Sequence, residues 1–254
     1  MRVAAQPAAI GGVVTNYLAL NTAGDSCSVA LSINGAYHQR EDRSGQRQSR
    51  ALPALVAQVL SDGGIRAAAL DGVVCCIGPG AFASVRVGVA FAKGFALALD
   101  RPVAGVSSLA LLAQHVAATH GAATVLSVLD ARMGQVYTGL YATAPRIALH
   151  EGAVEGVCIP DNVPLASGTL QAPLIGCGNG WQRYREALLQ RCPAPPDAVL
   201  ADTAPQAVDA FALVCGAGVD GTAFTSAARL APVYLRNHVA LTLAERGKPK
   251  PTPA

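Results

Sequence analysis

The hydrophobic pattern of the first hundred residues predicts strands and helices in alternation. The Asn34-Gly35 pair is typical of a tight β-hairpin turn. Apolar residues that recur every three or four positions predict a helix over 49–61, and a long helix is expected over 82–99. An unbroken apolar run over 72–77 predicts a strand that is buried on both faces. Three further short segments predict the strands that open the chain, at residues 17–21, 27–33 and 36–40.

The second half of the chain repeats this alternation less clearly. Strands are predicted at residues 102–106, 125–129, 135–141 and 174–177. Helices are predicted at residues 108–119, 181–190, 205–216 and 222–227. The alternation indicates two α/β lobes that join near Gly121. We therefore expect an N-terminal extension over 1–16, a first lobe over 17–121, a second lobe over 122–240 and a disordered tail over 241–254.

Composition excludes some classes of protein. Apolar residues make up 52% of the 254 residues and charged residues only 14%, which indicates a folded chain rather than a disordered one. The net charge of +3 is too small to indicate nucleic-acid binding. Arginines cluster at positions 40, 43, 47 and 50, and we interpret them as a solvated loop or a partner-facing patch. The uncharged run 103–129 is interrupted by polar residues, so we expect a helix followed by a strand, and no membrane contact.

The cysteines and histidines do not have the spacing of metal or disulfide sites. The seven cysteines are an odd number and include no Cys-x-x-Cys pair, so we expect free thiols and a reducing cytoplasmic location. No two of the five histidines are four residues apart, the spacing that would place both on one face of a helix. We therefore expect no metal site.

Four segments, taken together in their order and spacing, resemble the bacterial TsaB (YeaZ) family over about residues 16–240. They lie at residues 18–22 with 27–31, 78–88 with 93–99, 130–137, and 232–237. The resemblance implies an ASKHA-type fold, as in actin, Hsp70 and sugar kinases, with two α/β lobes of mixed sheets flanked by helices. It also implies a non-catalytic subunit that supports a TsaD-type enzyme, together with a TsaE-type ATPase, in placing threonylcarbamoyl on the adenosine beside the anticodon of tRNA.

The resemblance implies no catalytic residue and no cofactor, and only an indirect or weak contact with tRNA. The alternative is a stand-alone enzyme, either a small-molecule kinase of the same fold or a peptidase. A kinase of this type uses acidic residues at the end of its first strand to hold Mg²⁺, whereas this strand ends in Asn21. A Gly-x-Ser-x-Gly pattern for a nucleophilic serine is also missing from the sequence.

The long helix carries small residues at intervals of four, and this spacing lets another helix approach closely. Two glycines inside a helix cost stability, so a packing reason is expected for them. We predict that this helix and the helix before it dock onto another subunit, and that the same surface also forms a homodimer. Leu55 and Leu60 are expected in the core of the chain itself. The residues predicted at the interface are Leu52, Val56, Val59, Ser84, Arg86, Gly88, Ala92 and Lys93.

Overall fold

The computed structural model describes residues 16–45, 47–121, 123–144, 147–149, 153–165, 173–215 and 223–236. The predicted N-terminal extension, apart from Asn16, and the predicted C-terminal tail lie outside these residues.

Within the described residues the regular elements largely follow the predicted order. The strands are β1 (Tyr17–Asn21), β2 (Cys27–Ile33), β3 (Ala36–Asp42), β4 (Gly72–Gly78), β5 (Val103–Ser107), β6 (Thr124–Arg132), β7 (Gln135–Ala142), β8 (Ala148–Leu149), β9 (Gly156–Cys158), β10 (Leu174–Cys177), β11 (Ala198–Leu200) and β12 (Phe224–Thr225). The α-helices are α1 (Gln48–Asp62), α2 (Phe82–Leu99), α3 (Ser108–His120), α4 (Asn179–Arg183), α5 (Arg185–Arg191) and α6 (Ala210–Cys215). Single turns of 3₁₀-helix occur at Ala67–Ala69, Pro160–Asn162, Ala207–Asp209 and Ala227–Arg229.

The first sheet has the strand order β12-β5-β4-β1-β2-β3. The strands β1, β4 and β5 run parallel, and β2 and β3 continue the sheet as an antiparallel hairpin. Asn34 and Gly35 both have positive φ, as the predicted two-residue turn requires. Helix α1 packs against β2 and β3, α2 packs mainly against β4, and the two helices touch each other.

The second sheet has the order β11-β10-β6-β7-β8, and β9 also pairs with β7. Helix α3 connects the two sheets. The Ser107 hydroxyl accepts a hydrogen bond from the Leu109 amide and so caps the helix. Leu112 and Val116 pack in the core of the second sheet, whereas Leu111 packs in the core of the first. The predicted arrangement of two mixed sheets flanked by helices is confirmed.

The predicted lobe boundaries need a correction at the C-terminal end of the chain. Residues assigned to the second lobe return to the first, where β12 pairs antiparallel with β5. Phe211 and Val214 of α6 and Leu230 belong to the core of the first sheet. A helical apolar pattern predicts that one face is buried, but it does not specify which sheet covers that face.

Three element predictions in the same half are also wrong in detail. The predicted helix at 222–227 is instead the short strand β12 followed by a single 3₁₀ turn. The predicted helix at 181–190 is broken at Tyr184, which separates α4 from α5. The strand β11 is missing from the predicted elements, because its three residues are too few for a clear period-two pattern.

Asn21 anchors the returning segment to the end of the first strand. Its side chain is buried, and Nδ2 donates a hydrogen bond of 2.7 Å to the carbonyl of Pro205. Its Oδ1 accepts a hydrogen bond from the amide of Ala23 at 3.0 Å. An aspartate could not donate to the Pro205 carbonyl unless it were protonated. The amide is therefore required by the tertiary structure of this chain.

We predict that Asn21→Asp lowers the free energy of unfolding by about 1–3 kcal/mol at neutral pH, because a buried carboxylate would face a carbonyl oxygen. Burial would raise the pKa of the new carboxyl above its unfolded value, so the penalty should shrink as the pH falls toward about 4. Urea unfolding over this pH range measures the effect. Asn21→Ala is the control, because it loses both hydrogen bonds without adding a charge. A pH-independent difference between the two variants would contradict this account.

His115 on α3 makes a second contact with the returning segment. Its Nδ1 lies 3.1 Å from Oδ2 of the mostly buried Asp209. The hydrogen bond to Asp209 raises the pKa of His115, and burial opposes that shift only in part. A histidine whose folded-state pKa is raised stabilises the fold below its unfolded value of about 6.5, and the contribution is lost as the pH rises through the folded-state pKa.

We therefore predict that His115→Gln lowers stability more at about pH 5.5 than at about pH 8.5. Urea unfolding of the parent chain and of the variant at both pH values gives this difference. His120→Gln is the control, because His120 is exposed at the end of the same helix and its ring pairs with the hydroxyl of Thr119 rather than with a carboxylate. A loss of stability on His115→Gln that is constant or grows with pH would refute the prediction.

Candidate partner-docking surface

Helix α2 has one buried face and one exposed face along its whole length. We call the exposed face the docking face, and define it as Phe82, Arg86, Ala90, Gly94 and Leu97. These residues are spaced by three or four positions and therefore share one side of the helix. Phe82 is 55% exposed and Leu97 is 61% exposed, which is unusual for large apolar side chains. In the part of the chain that the structure describes, the docking face is therefore a largely apolar and exposed surface, apart from the contacts of Phe82 and Arg86 with Tyr234.

The length and apolar composition of α2 would also suit a membrane span, and α2 is the one such helix in the described part of the chain. Only 28% of the helix is buried in the protein. However, α2 packs against the first sheet along its other face, through contacts with β1, β4 and β5. Because α2 already forms one layer of an α/β lobe, its exposed apolar face is better explained by association with another protein than by insertion into a membrane.

The stripe of Ser84, Gly88 and Ala92 faces inward, which corrects the prediction that all three lie at an interface. Gly88 and Ala92 are buried, and Ser84 is half-buried. A Cβ atom on Gly88 would collide with Oγ1 of Thr22. That hydroxyl donates a hydrogen bond of 2.7 Å to the carbonyl of Ser84. A glycine is therefore needed at this position, because α2 crosses the end of β1 so closely that a larger residue would not fit.

The predicted apolar edge of α1 is also turned inward. Leu52, Val56 and Val59 are 0–3% exposed and belong to the core of the first sheet, together with Leu55. The expectation that these three face a partner is corrected, because α1 has a single apolar stripe and its own sheet covers that stripe. Ala57, on the other side of α1, is exposed. In the isolated chain, α1 thus offers mainly small and polar side chains to solvent.

The N-terminal ends of α1 and α2 are held together by side-chain hydrogen bonds. The Ser84 hydroxyl donates to Oε1 of Gln48 at 2.8 Å. Nε2 of Gln48 in turn donates to the carbonyl of Gly24 at 3.2 Å. These bonds fix the two helices to each other and to the turn after β1. The docking face is therefore carried by a rigid pair of helices.

Arg86 lies in an aromatic cluster at the N-terminal end of the docking face. Its guanidinium carbon is 3.7 Å from the centre of the Phe82 ring, and its Nε donates a hydrogen bond of 2.6 Å to the hydroxyl of Tyr234. Tyr234 is 46% exposed, and its ring lies 5.6 Å from that of Phe82. Arginine and tyrosine in such clusters are frequent energetic centres of protein interfaces. The prediction of Arg86 at an interface thus agrees with its exposure.

Lys93 makes a hydrogen bond within the chain itself. Its Nζ donates a hydrogen bond of 3.0 Å to the carbonyl of Ala228, in the last 3₁₀ turn. It is half-buried and lies beside the docking face, where it helps hold the returning segment.

Residues 232–236 connect the docking face to the second lobe. The amide of Val233 donates to the carbonyl of Ile77 at 2.9 Å, at the end of β4. Arg236 reaches the turn between β6 and β7, where it donates to the carbonyl of Ala131 at 3.0 Å and to Oε1 of Gln135 at 2.7 Å. The segments 130–137 and 232–236, which are far apart in sequence, therefore form one structural unit. In the sequence, both segments were part of the family resemblance. That resemblance did not show that the two segments are in contact.

The thiols are poorly suited to nucleophilic chemistry. Burial raises the pKa of Cys76 and of Cys177 to about 12, and also raises that of Cys75. They therefore remain protonated at neutral pH, whereas a reactive cysteine needs an accessible thiolate. No group of three or more His, Cys, Asp or Glu side chains suited to a metal ion occurs among the residues that the structure describes.

Comparison with known proteins agrees with this architecture. A crystal structure from Pseudomonas aeruginosa, described as an uncharacterized protein with similarity to peptidase YeaZ, superposes with a TM-score of 0.79. It is 34% identical and covers 87% of this chain and 100% of its own. A structure of YeaZ from Pseudomonas aeruginosa gives a TM-score of 0.76 at 33% identity, over 87% of this chain and all of that one. The two mixed sheets flanked by helices therefore define a two-lobed protein of the ASKHA-like class.

The sequence comparison is more specific. The tRNA threonylcarbamoyladenosine biosynthesis protein TsaB of Escherichia coli is 30% identical over 223 residues, which are 88% of this chain and 95% of that protein. The family model of TsaD, the tRNA N6-adenosine threonylcarbamoyltransferase, matches residues 42–152. This chain belongs to the TsaB family, as the four segments in its sequence indicated.

The two glycines of α2 provide a matched test of which face is buried. We predict that Gly88→Ala lowers the free energy of unfolding by about 1–3 kcal/mol, because the new methyl group displaces Thr22. Gly94 has open space around its Cα, so Gly94→Ala should instead raise stability by about 0.5–1 kcal/mol through helix propensity. Denaturant unfolding of both variants measures this contrast. Equal effects of the same sign would show that α2 does not cross β1 as described.

Proposed function

We propose that this chain is a non-catalytic partner subunit that docks onto a TsaD-type enzyme and supports threonylcarbamoylation of the tRNA adenosine beside the anticodon. The observation that carries the proposal is the docking face of α2, an apolar surface that stays largely exposed among the residues that the structure describes. Exposed apolar surface of this kind marks a site of association. The name of the Escherichia coli relative supports the same pathway.

The family match suggests how the two subunits would pair. The TsaD model matches residues 42–152, and this range contains both α1 and α2. The partner class therefore has counterparts of the same two helices. Two similar helix pairs can pack around a pseudo-two-fold axis and form a four-helix bundle. The small residues Ala90, Gly94 and Ala98 on the exposed side of α2 would let the opposing helix approach closely.

The same geometry would allow two copies of this chain to pair when the enzyme is absent. A homodimer through the docking face is therefore part of the proposal, and it would compete with the heterodimer. A TsaE-type ATPase and a cytoplasmic location are proposed with it, from the family resemblance.

The interior of the protein also supports an accessory role. Asn21 stands where a kinase of this fold would hold Mg²⁺ with a carboxylate, and both of its polar atoms are used inside the chain. The high pKa values of the buried thiols argue against a cysteine peptidase. We therefore favour a subunit that positions another enzyme over a stand-alone kinase or peptidase.

We predict that Leu97→Asp weakens binding to the TsaD-type subunit of the same organism at least about tenfold, because a carboxylate would be desolvated in an apolar interface. Gly94→Arg should have a similar effect by blocking close approach. Isothermal titration calorimetry measures binding, and size-exclusion chromatography should show the loss of any homodimer. Reconstituted tRNA modification by the enzyme mixture should fall in parallel.

Val154→Asp is the control, because Val154 is 65% exposed in the second lobe and lies outside the docking face. Circular dichroism and thermal unfolding should show that all three variants remain folded, since the changed positions are exposed. If the Leu97 and Gly94 variants bind the enzyme as tightly as the Val154 variant, the docking face is not the interface.

A further inference from the structure

The turn between β6 and β7 presents a group of arginines around one carboxylate. The side chain of Asp130 is 8% exposed, and its Oδ2 lies 3.4 Å from Nη1 of Arg132 and 3.3 Å from Nη1 of Arg183. Its Oδ1 accepts a hydrogen bond from the amide of Arg132 at 2.9 Å and a longer one from the hydroxyl of Tyr184 at 3.4 Å. Asp130 thus acts as a buried support that orients two arginines from different elements.

The two arginines remain open to solvent despite this contact. The side chain of Arg132 is 72% exposed and that of Arg183 is 57% exposed. Each guanidinium has five N–H donors, and each makes a single long contact with Asp130. Within the described part of the chain, most of their donors therefore have no partner and can bind an external anion, and the shared carboxylate holds both guanidinium groups in position.

Arg236 adds a third positive charge beneath the same turn. Its Nη2 donates to the carbonyls of Ala131 and Arg132 and to Oε1 of Gln135, and its Nη1 lies 3.5 Å from the sulfur of Met133. None of these partners carries a negative charge. Two arginines thus pair with Asp130 and a third contacts the backbone of the same turn, which leaves the turn with a local excess of two positive charges. An excess of this kind attracts polyanions although the whole chain carries only +3.

The backbone of the turn has a conformation that is energetically unfavourable for residues with side chains. Arg132 and Met133 both have positive φ, a conformation that few residues other than glycine adopt. Met133 is 78% exposed, beside the arginines. The ring of Tyr184 lies 5.6 Å from the guanidinium of Arg183. Strained backbone positions that persist in a fold tend to mark functional sites.

The excess of positive charge favours a polyanion over a protein surface, and the aromatic ring beside the arginines favours RNA over a small anion. Guanidinium groups pair with phosphate oxygens, and unstacked bases of RNA loops stack on aromatic and arginine planes. We propose that this turn, with Arg132 and Arg183 as the contacting residues, binds the phosphate backbone of tRNA directly. That the RNA is a tRNA rests on the proposed function, whereas direct binding of RNA by this chain goes beyond that function. Residues 234–236 join the turn to the end of the docking face, so the tRNA would lie against both subunits.

Fluorescence anisotropy with a labelled, unmodified tRNA transcript tests this proposal at several salt concentrations. The variant carries Arg132→Gln and Arg183→Gln, which remove two charges without placing a new carboxylate next to Asp130. We expect about tenfold weaker binding at low salt, and a slope of log K against log salt that is shallower by about 1 to 2. The measurement is made on the chain alone and on its mixture with the TsaD-type subunit.

Arg66→Glu is the matched control, because it changes the net charge by the same amount. Arg66 is exposed and precedes the 3₁₀ turn Ala67–Ala69, which lies beside the start of β1, at the opposite end of the first sheet. Unchanged tRNA affinity in the Arg66 variant would support a specific contact. The proposal is overturned if the double variant binds like the parent, if the Arg66 variant loses as much affinity, or if the parent binds no tRNA in either form. Failure of the two subunits to associate would refute the proposed function alone, because tRNA binding by the isolated chain is measured independently.

Discussion

The close crossing of α2 over the end of β1 is the constraint on which the surface of this protein depends. Gly88 allows the helix to lie against Thr22, and the Thr22 hydroxyl holds the backbone of the helix at Ser84. Because one face of α2 is committed to this contact, the opposite face with Phe82 and Leu97 must point away from the sheet. An apolar docking face is thus a direct consequence of a packing requirement inside the lobe.

A second constraint is the return of the chain from the second lobe to the first. At the end of β1, the side-chain amide of Asn21 donates a hydrogen bond to the Pro205 carbonyl of this segment, and His115 on α3 contacts the segment at Asp209. The segment then passes beside α2 and ends at the β6–β7 turn, where Arg236 donates hydrogen bonds to backbone carbonyl groups. The docking face and the arginine-bearing turn are consequently neighbours, and a surface for a protein partner continues into a surface suited to RNA.

The sequence predicted the local elements well where one signal was strong. The bounds of α2 and the hairpin at Asn34-Gly35 were both predicted correctly, because helical periodicity and a two-residue turn are local properties. The interface remains a prediction, but the burial of its proposed residues differs from what the sequence indicated. Leu52, Val56, Val59, Gly88 and Ala92 are buried in the chain itself, whereas Arg86 is exposed as expected. Periodicity identified small residues at intervals of four along α2, but it did not specify which side of the helix the sheet covers.

The sequence by itself determined the family, the order of most elements and the presence of two α/β lobes, because these follow from short-range patterns and from motifs in a set order. Only the tertiary structure decided that residues 205–215 and 223–230 complete the first lobe, that Gly88 faces inward, and that Arg132 and Arg183 both pair with Asp130. These facts concern pairs of residues far apart in the chain. Their contacts depend on how sheets and helices pack in space, and no local pattern of apolar and polar residues encodes that choice.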